Sequence, residues 1–127
     1  MPRTVLVIDD DVAIRELYLA LLPVAEPGVT ILTAGTAGLG IAIAAARRPN
    51  LIYVDQRLPD QRGTEAVPVL RASCPEARIV LVSGSVDGVL EELAAAAGAD
   101  SCRDKVELLG SLRRIPGGGS ADEARAH

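Results

Sequence analysis

Three consecutive aspartates, Asp9, Asp10 and Asp11, stand at the end of the first apolar run of this chain, and Asp55 stands at the end of the third. Ser83 follows the fourth run, and Lys105, the only lysine among 13 basic residues, comes just after a weaker fifth. Ligands of open α/β sheets bind at the carboxyl ends of the strands, so these side chains are expected along one edge. Clustered carboxylates raise each other's pKa unless a cation joins them. An all-oxygen donor set without His or Cys suits Mg²⁺, with Mn²⁺ as the second choice. A carboxylate can act as a nucleophile and become an aspartyl phosphate. A hydroxyl and an ammonium suit the remaining oxygens of a transferring phosphoryl group. The residue types together imply Mg²⁺-dependent phosphoryl chemistry on an aspartate. The solitary lysine adds weight, because a chain that otherwise uses Arg prefers a compact, flexible ammonium at this one place.

The elements that must position these groups follow from hydrophobic pattern. Residues 5–8, 29–32, 51–54 and 79–82 are short, continuous apolar runs rich in β-branched side chains. Such runs, without polar alternation, read as strands buried on both faces of a parallel sheet. A weaker fifth strand is expected at 99–102. Helical spacing lies between them: Ile14, Leu17, Tyr18 and Leu21; then Leu39, Ile43 and Ala46; then Val67 and Leu70; then Val86, Leu90, Leu93 and Ala97. Pro23 and Pro27-Gly28 are expected to close the first helix, Pro49-Asn50 the second, and Gly98 the fourth. Thr64 is a candidate cap for the third, and Asp104 with Glu107 resembles a capping box for a fifth helix holding Leu108, Leu112 and Ile115. Five alternations of strand and helix predict a doubly wound α/β domain with a five-stranded parallel sheet and helices on both faces. The domain is expected to span 1–115, with 116–127 a Gly-rich disordered tail or the start of a linker.

Composition removes other classes. With 127 residues there is room for one domain. Seventeen acidic against 13 basic residues leave a net charge of −4, which argues against nucleic acid or an anionic membrane as partner. Two tyrosines and no Phe or Trp offer no base-stacking surface. The only histidine is the last residue, which excludes a His-dependent triad and a His-rich metal site. Cys74 and Cys102 lack a paired spacing and read as small inert hydrophobes. The longest apolar stretch, 37–46, is too short to cross a bilayer, and 1–3 lead directly into a strand without a signal peptide, so a cytoplasmic location is expected. The glycines at 35, 38 and 40 lack the spacing of a dinucleotide loop.

Residues 4–115 resemble the receiver domain of two-component response regulators. The matching pieces are Asp9-Asp10-Asp11 after the first strand, Asp55 with Pro59 four and Gly63 eight residues on, Val82-Ser83-Gly84, and Gly98-Ala99-Asp100 followed by Lys105. The resemblance implies a flavodoxin-like strand order 2-1-3-4-5, which brings Asp9, Asp10 and Asp55 into one cleft. It implies that Asp55 accepts the phosphoryl group and that Asp10 ligates Mg²⁺ directly, Asp9 mainly through water. The backbone carbonyl of Arg57 would be a further ligand. Ser83 would hydrogen-bond a phosphoryl oxygen, and Lys105 would pair with Asp55. The implied partners are a histidine kinase or phosphotransfer protein and an output partner at the fourth and fifth helices, the chain being a monomer or weak homodimer. It would be a signalling receiver that assists its own phosphoryl transfer and dephosphorylation, not an enzyme. Arg57 and Ser85 would flank the approach of the hydrolytic water, with Arg57 free to pair with the phosphoryl group or with Asp60.

Several positions depart from the family. Val106 stands where Pro usually follows the lysine in a cis bond, and a cis bond before Val is costly. Cys102 stands where an aromatic side chain usually turns inward on activation. With Gly84 after Ser83, backbone movement at 84–88 and 104–107 is the expected substitute. Two other functions compete. A partner-binding module of the same fold would ignore phosphorylation. A small phosphatase of the haloacid dehalogenase type would share the Asp nucleophile and Mg²⁺, but it wants Thr or Val where Ala13 stands.

Overall fold

The computed structural model describes residues 3–114. Strands and helices alternate as expected: β1 Thr4–Ile8, α1 Val12–Ala25, β2 Thr30–Ala34, α2 Ala37–Arg47, β3 Leu51–Asp55, α3 Gly63–Ser73, β4 Arg78–Ser83, α4 Gly88–Ala97, β5 Ser101–Asp104 and α5 Lys105–Arg114. All five strands pair in parallel, in the order β2-β1-β3-β4-β5. Alternate residues of each strand feed different cores. Leu6, Ile8, Ile52, Val54, Ile79 and Leu81 pack with residues of α2, α3 and α4. Val5, Val7, Leu51, Tyr53, Val80 and Val82 pack with residues of α1 and α5. The two tyrosines stack in the second core with ring centroids 5.3 Å apart. No helix among the described residues is long and apolar enough to cross a membrane.

Several expected boundaries and faces move. Helix α1 runs through Pro23 to Ala25. Proline removes one helical hydrogen bond, and Pro23 lies on the exposed face of the helix, where water can take up the carbonyl that loses its partner. On α2 the residues turned inward are Ala37, Gly40 and Ala44, while Leu39 is exposed. The helix lies so close to the sheet that a side chain on Gly40 would meet Ile8, so the smallest residues face the core and the larger ones flank it. On α4 only Ala94 is buried, flanked by half-buried Leu90 and Ala97, and Leu93 is exposed. Val86 precedes that helix. Strand β5 begins two residues later than expected, because Asp100 is spent in the turn, where its carboxylate accepts the Ile79 N–H at 2.8 Å. The later strand brings Lys105 to its immediate end.

The helix caps divide similarly. Gly98 closes α4 at φ 112°, as expected. Arg48 closes α2 at φ 46°, ahead of Pro49-Asn50. Thr64 is inside α3 and does not cap it; Arg62 does, and its N–H donates to Glu65 Oε1 at 3.0 Å. The Glu107 N–H donates to Asp104 Oδ1 at 3.0 Å, one half of the expected capping box. Ile115 and the tail at 116–127 lie outside the described residues.

Gly63 is required by close approach. A Cβ there would lie 2.5 Å from the Asp55 carbonyl oxygen and 2.6 Å from Leu81 Cδ1. Gly88, the first residue of α4, has nothing within 4 Å of the same position. Gly63→Ala is therefore expected to destabilise the fold by about 1–3 kcal/mol, and Gly88→Ala to stabilise it by about 0.4–1 kcal/mol. Urea unfolding of the two variants checks both signs.

Candidate functional site

The three consecutive aspartates do three different jobs. Asp9 is 2 % exposed at the end of β1. Its Oδ1 accepts the Asp11 N–H at 2.9 Å, and its Oδ2 faces Lys105 Nζ at 2.9 Å. Asp10 is exposed at the cleft. Asp11 caps α1, accepting the N–H of Ala13 at 2.9 Å and of Ile14 at 3.4 Å. Acid at a helix N-terminus thus accounts for the hydrogen bonds of the Asp11 carboxylate, and for those of neither neighbour.

Asp55 closes β3, next to β1 in the sheet, and is 6 % exposed. Lys105 Nζ reaches its Oδ1 at 3.2 Å, so one ammonium bridges the carboxylates of β1 and β3. Carboxylate oxygens of Asp9, Asp10 and Asp55 all come within 4.8 Å of one another. That oxygen-only set, with two buried carboxylates and one exposed, fits a hard divalent cation such as Mg²⁺. Burial pushes the Asp55 carboxyl above its ordinary pKa and Asp9 adds to the push, against the pull of Lys105. Burial works against the Lys105 ammonium, but hydrogen bonding and attraction to Asp9 and Asp55 outweigh it and raise its pKa.

The loop from β3 to α3 is pinned at its neck. The Gly63 N–H donates to the Gln56 carbonyl at 2.9 Å, and the Thr64 N–H to Gln56 Oε1 at 3.0 Å. One residue further in, Arg57 and Arg62 form an antiparallel bridge. Arg57 does not pair with Asp60. The Asp60 carboxylate turns instead to the N-terminus of α2, accepting the N–H of Ala37 at 2.9 Å and of Gly38 at 2.8 Å, which lowers its pKa. Ser83 lies at the end of β4 with its hydroxyl donating to the Ser85 carbonyl at 2.9 Å. Asp10, Asp55, Arg57, Ser83 and Lys105 all line an open cleft of about 1050 Å³. Cys102 is half-buried on β5, and no peptide bond among the described residues is cis, the Lys105–Val106 bond included.

Sequence reasoning missed three contributors. Arg15 reaches back from α1 to donate to the Asp9 carbonyl at 2.7 Å. Its position four residues beyond Asp11, one turn into the helix, was the available signal. The Asp60 latch had none, because it joins segments 22 and 23 residues apart. Arg62 reaches the cleft through the bridge to Arg57, a pairing with no sequence signature.

A raised carboxyl pKa means that the folded state disfavours the charged form. The stability cost of Asp55 is therefore absent below the ordinary carboxylate range and grows as pH rises through its folded value. Asp55→Asn is expected to raise the unfolding midpoint in metal-free buffer at pH 7, with the gain vanishing on acidification. Lys105→Met leaves both carboxylates facing each other. It is expected to cost about 1–3 kcal/mol at pH 7, less than a fully buried pair because Nζ retains some contact with water. Thermal unfolding from pH 3 to pH 8 reads both trends.

The comparisons with known proteins agree with this geometry. The family model described as response regulator receiver domain matches residues 5–113. The photosynthetic apparatus regulatory protein RegA of Cereibacter sphaeroides is 40% identical over 84 residues, covering 65% of this chain and 44% of that protein. The chain spans less than half the length of the curated relatives it matches. A CheY-like receiver domain protein from Methanospirillum hungatei superposes with a TM-score of 0.78 at 26% identity, covering 99% of this chain and 98% of that one. A Burkholderia pseudomallei response regulator, solved with a phosphorylated aspartic acid, calcium ion and citrate, gives 0.77 at 26% identity over 98% of this chain and 71% of that one. Family model, relatives and strand order agree: the chain belongs to the response regulator receiver domains of two-component systems.

Proposed function

We propose that Asp55 accepts a phosphoryl group from a histidine kinase or phosphotransfer protein and that the modified domain changes its affinity for an output partner. The observation that carries this reading is Lys105 Nζ held between Asp9 Oδ2 at 2.9 Å and Asp55 Oδ1 at 3.2 Å, beside exposed Asp10. Asp10 and Asp55 would hold Mg²⁺ directly, Asp9 mainly through water, and the Arg57 carbonyl would complete the protein ligands. When bound, the ion supplies positive charge to the oxygens of the transferring group.

The protein's own groups do the rest. An Asp55 oxygen attacks phosphorus, the donor's bond to phosphorus breaks, and the donor leaves with the electron pair. Lys105 then exchanges its hold on the Asp55 carboxylate for the new phosphoryl oxygens. The Ser83 hydroxyl must turn away from the Ser85 carbonyl to donate to the same group, and Gly84 lets that loop shift without a steric cost. Arg57 and Ser85 both line the cleft and would govern the approach of a water to the phosphoryl group, which is how the domain would assist its own dephosphorylation. Cys102 is too small to serve as an aromatic switch. The α4 and α5 surfaces carry exposed Val89, Leu93 and Val106, which supports an output partner there. We place the domain in the cytoplasm, as a monomer or weak homodimer. A partner-binding module that never accepts a phosphoryl group is the second reading, favoured by Cys102 and by the Ser83 hydroxyl being engaged with the Ser85 carbonyl.

Incubation with acetyl phosphate and Mg²⁺ is expected to add one phosphoryl group to the intact mass, and Asp55→Asn to abolish the addition. Full labelling of that variant would overturn the assignment. Asp10→Ala is expected to weaken Mg²⁺ binding by at least the ~10-fold that losing even an outer-sphere partner costs, as read by calorimetry.

A further inference from the structure

The neck of the β3–α3 loop places like charges directly opposite each other. Arg57 and Arg62 face one another across the antiparallel bridge. Residues opposed in this way project to the same side with Cβ atoms about 4.5–5.5 Å apart, and like charges there repel. Both arginines are exposed and both line the cleft that contains Asp55. Among the described residues no carboxylate lies within ion-pair distance of either guanidinium. The nearest acid in sequence, Asp60, is occupied at the start of α2. Two unneutralised guanidiniums on one rim form a cationic counterpart to the carboxylates at the floor. A planar guanidinium is suited to bidentate contact with a carboxylate or phosphate.

We propose that Arg57 and Arg62 form an anion subsite at the mouth of the cleft, seating a second anionic group of the phosphoryl donor. This rests on Asp55 being the acceptor. The subsite explains how a cleft bordered by Asp10, Asp11 and Asp87 admits a donor bearing negative charge beyond its phosphoryl group. It selects donors whose phosphoryl group lies beside an acidic side chain over donors without one.

Succinyl phosphate and acetyl phosphate separate the effect, because both are acyl phosphates and only the first carries a distal carboxylate. In each, the bond from the acyl oxygen to phosphorus breaks, a bond from Asp55 to phosphorus forms, and the carboxylic acid departs as its anion. With the full chain, Mg²⁺ and constant ionic strength, labelling is expected to favour succinyl phosphate by about five- to tenfold in the second-order rate constant of labelling. Arg62→Gln is expected to bring the ratio of the two donors' rate constants to within about twofold of one, the ratio being the readout whatever the variant does to either rate alone. An unchanged preference in the variant overturns the subsite. Titration with succinate, read at the amide signals of residues 57 and 62, provides a second measurement. Saturable shifts in the parent that disappear in Arg62→Gln support the subsite, and identical shifts or none in both overturn it. Labelling by neither donor refutes Asp55 as the acceptor, and the titration still decides the subsite.

Discussion

One ammonium holds the acidic edge of the sheet together. Lys105 sits between Asp9 and Asp55, whose carboxylates are almost wholly withdrawn from water. Two buried negative charges at neighbouring strand ends repel strongly in a low-dielectric setting, and a cation between them offsets the repulsion. The arrangement demands that β1 and β3 be adjacent and that the chain after β5 return to the same edge. Strand order and the position of α5 are therefore parts of the electrostatics. The balance is incomplete, since the carboxyl of Asp55 remains harder to ionise than an ordinary one. A site held in this partly neutralised state gains from any further positive charge that enters it.

Around that pair, the backbone positions each group at a strand end. Gly63 lets α3 start against the Asp55 carbonyl, and Gln56 ties the loop neck to the same helix. The loop's tip is tied elsewhere, by Asp60 to the first N–H groups of α2. Those N–H groups are among the helix donors left without an internal partner, and Thr36 takes the Leu39 N–H at 3.1 Å. The loop that carries Arg57 is thus connected to both helices that flank it.

The aliphatic core leaves little aromatic material for signalling. Both tyrosines are spent beneath α1 and β3, where burial raises the Tyr18 pKa well above its ordinary value. Neither is available near Cys102. The large apolar side chains exposed on α4 and α5 are the aliphatic Val89, Leu93 and Val106. Burial also raises the pKa of both cysteines.

Much of this was legible in the residues alone. Buried parallel strands need continuous apolar runs, so the first four strands announced themselves, and the polar residues that end those runs were the site candidates. Asp9, Asp55, Ser83 and Lys105 are of that kind: their meaning depends on type and on position after a strand. What depends on how separate segments meet was hidden. The inward face of α2 follows from how close that helix lies to Ile8, so Gly40 faces inward and Leu39 does not. The start of β5 was displaced because Asp100 is drawn to the Ile79 N–H of a neighbouring strand. The different duties of Asp9, Asp10 and Asp11 were equally invisible, since three identical side chains in a row differ only in what surrounds them. The sequence by itself determined which side chains could carry the chemistry and that strands would bring them to one edge, because strand burial and residue type are local properties. Only the tertiary structure decided that the Asp60 carboxylate takes the first N–H groups of α2 and that Arg57 faces Arg62, because each contact depends on a loop path that residue type and periodicity do not specify.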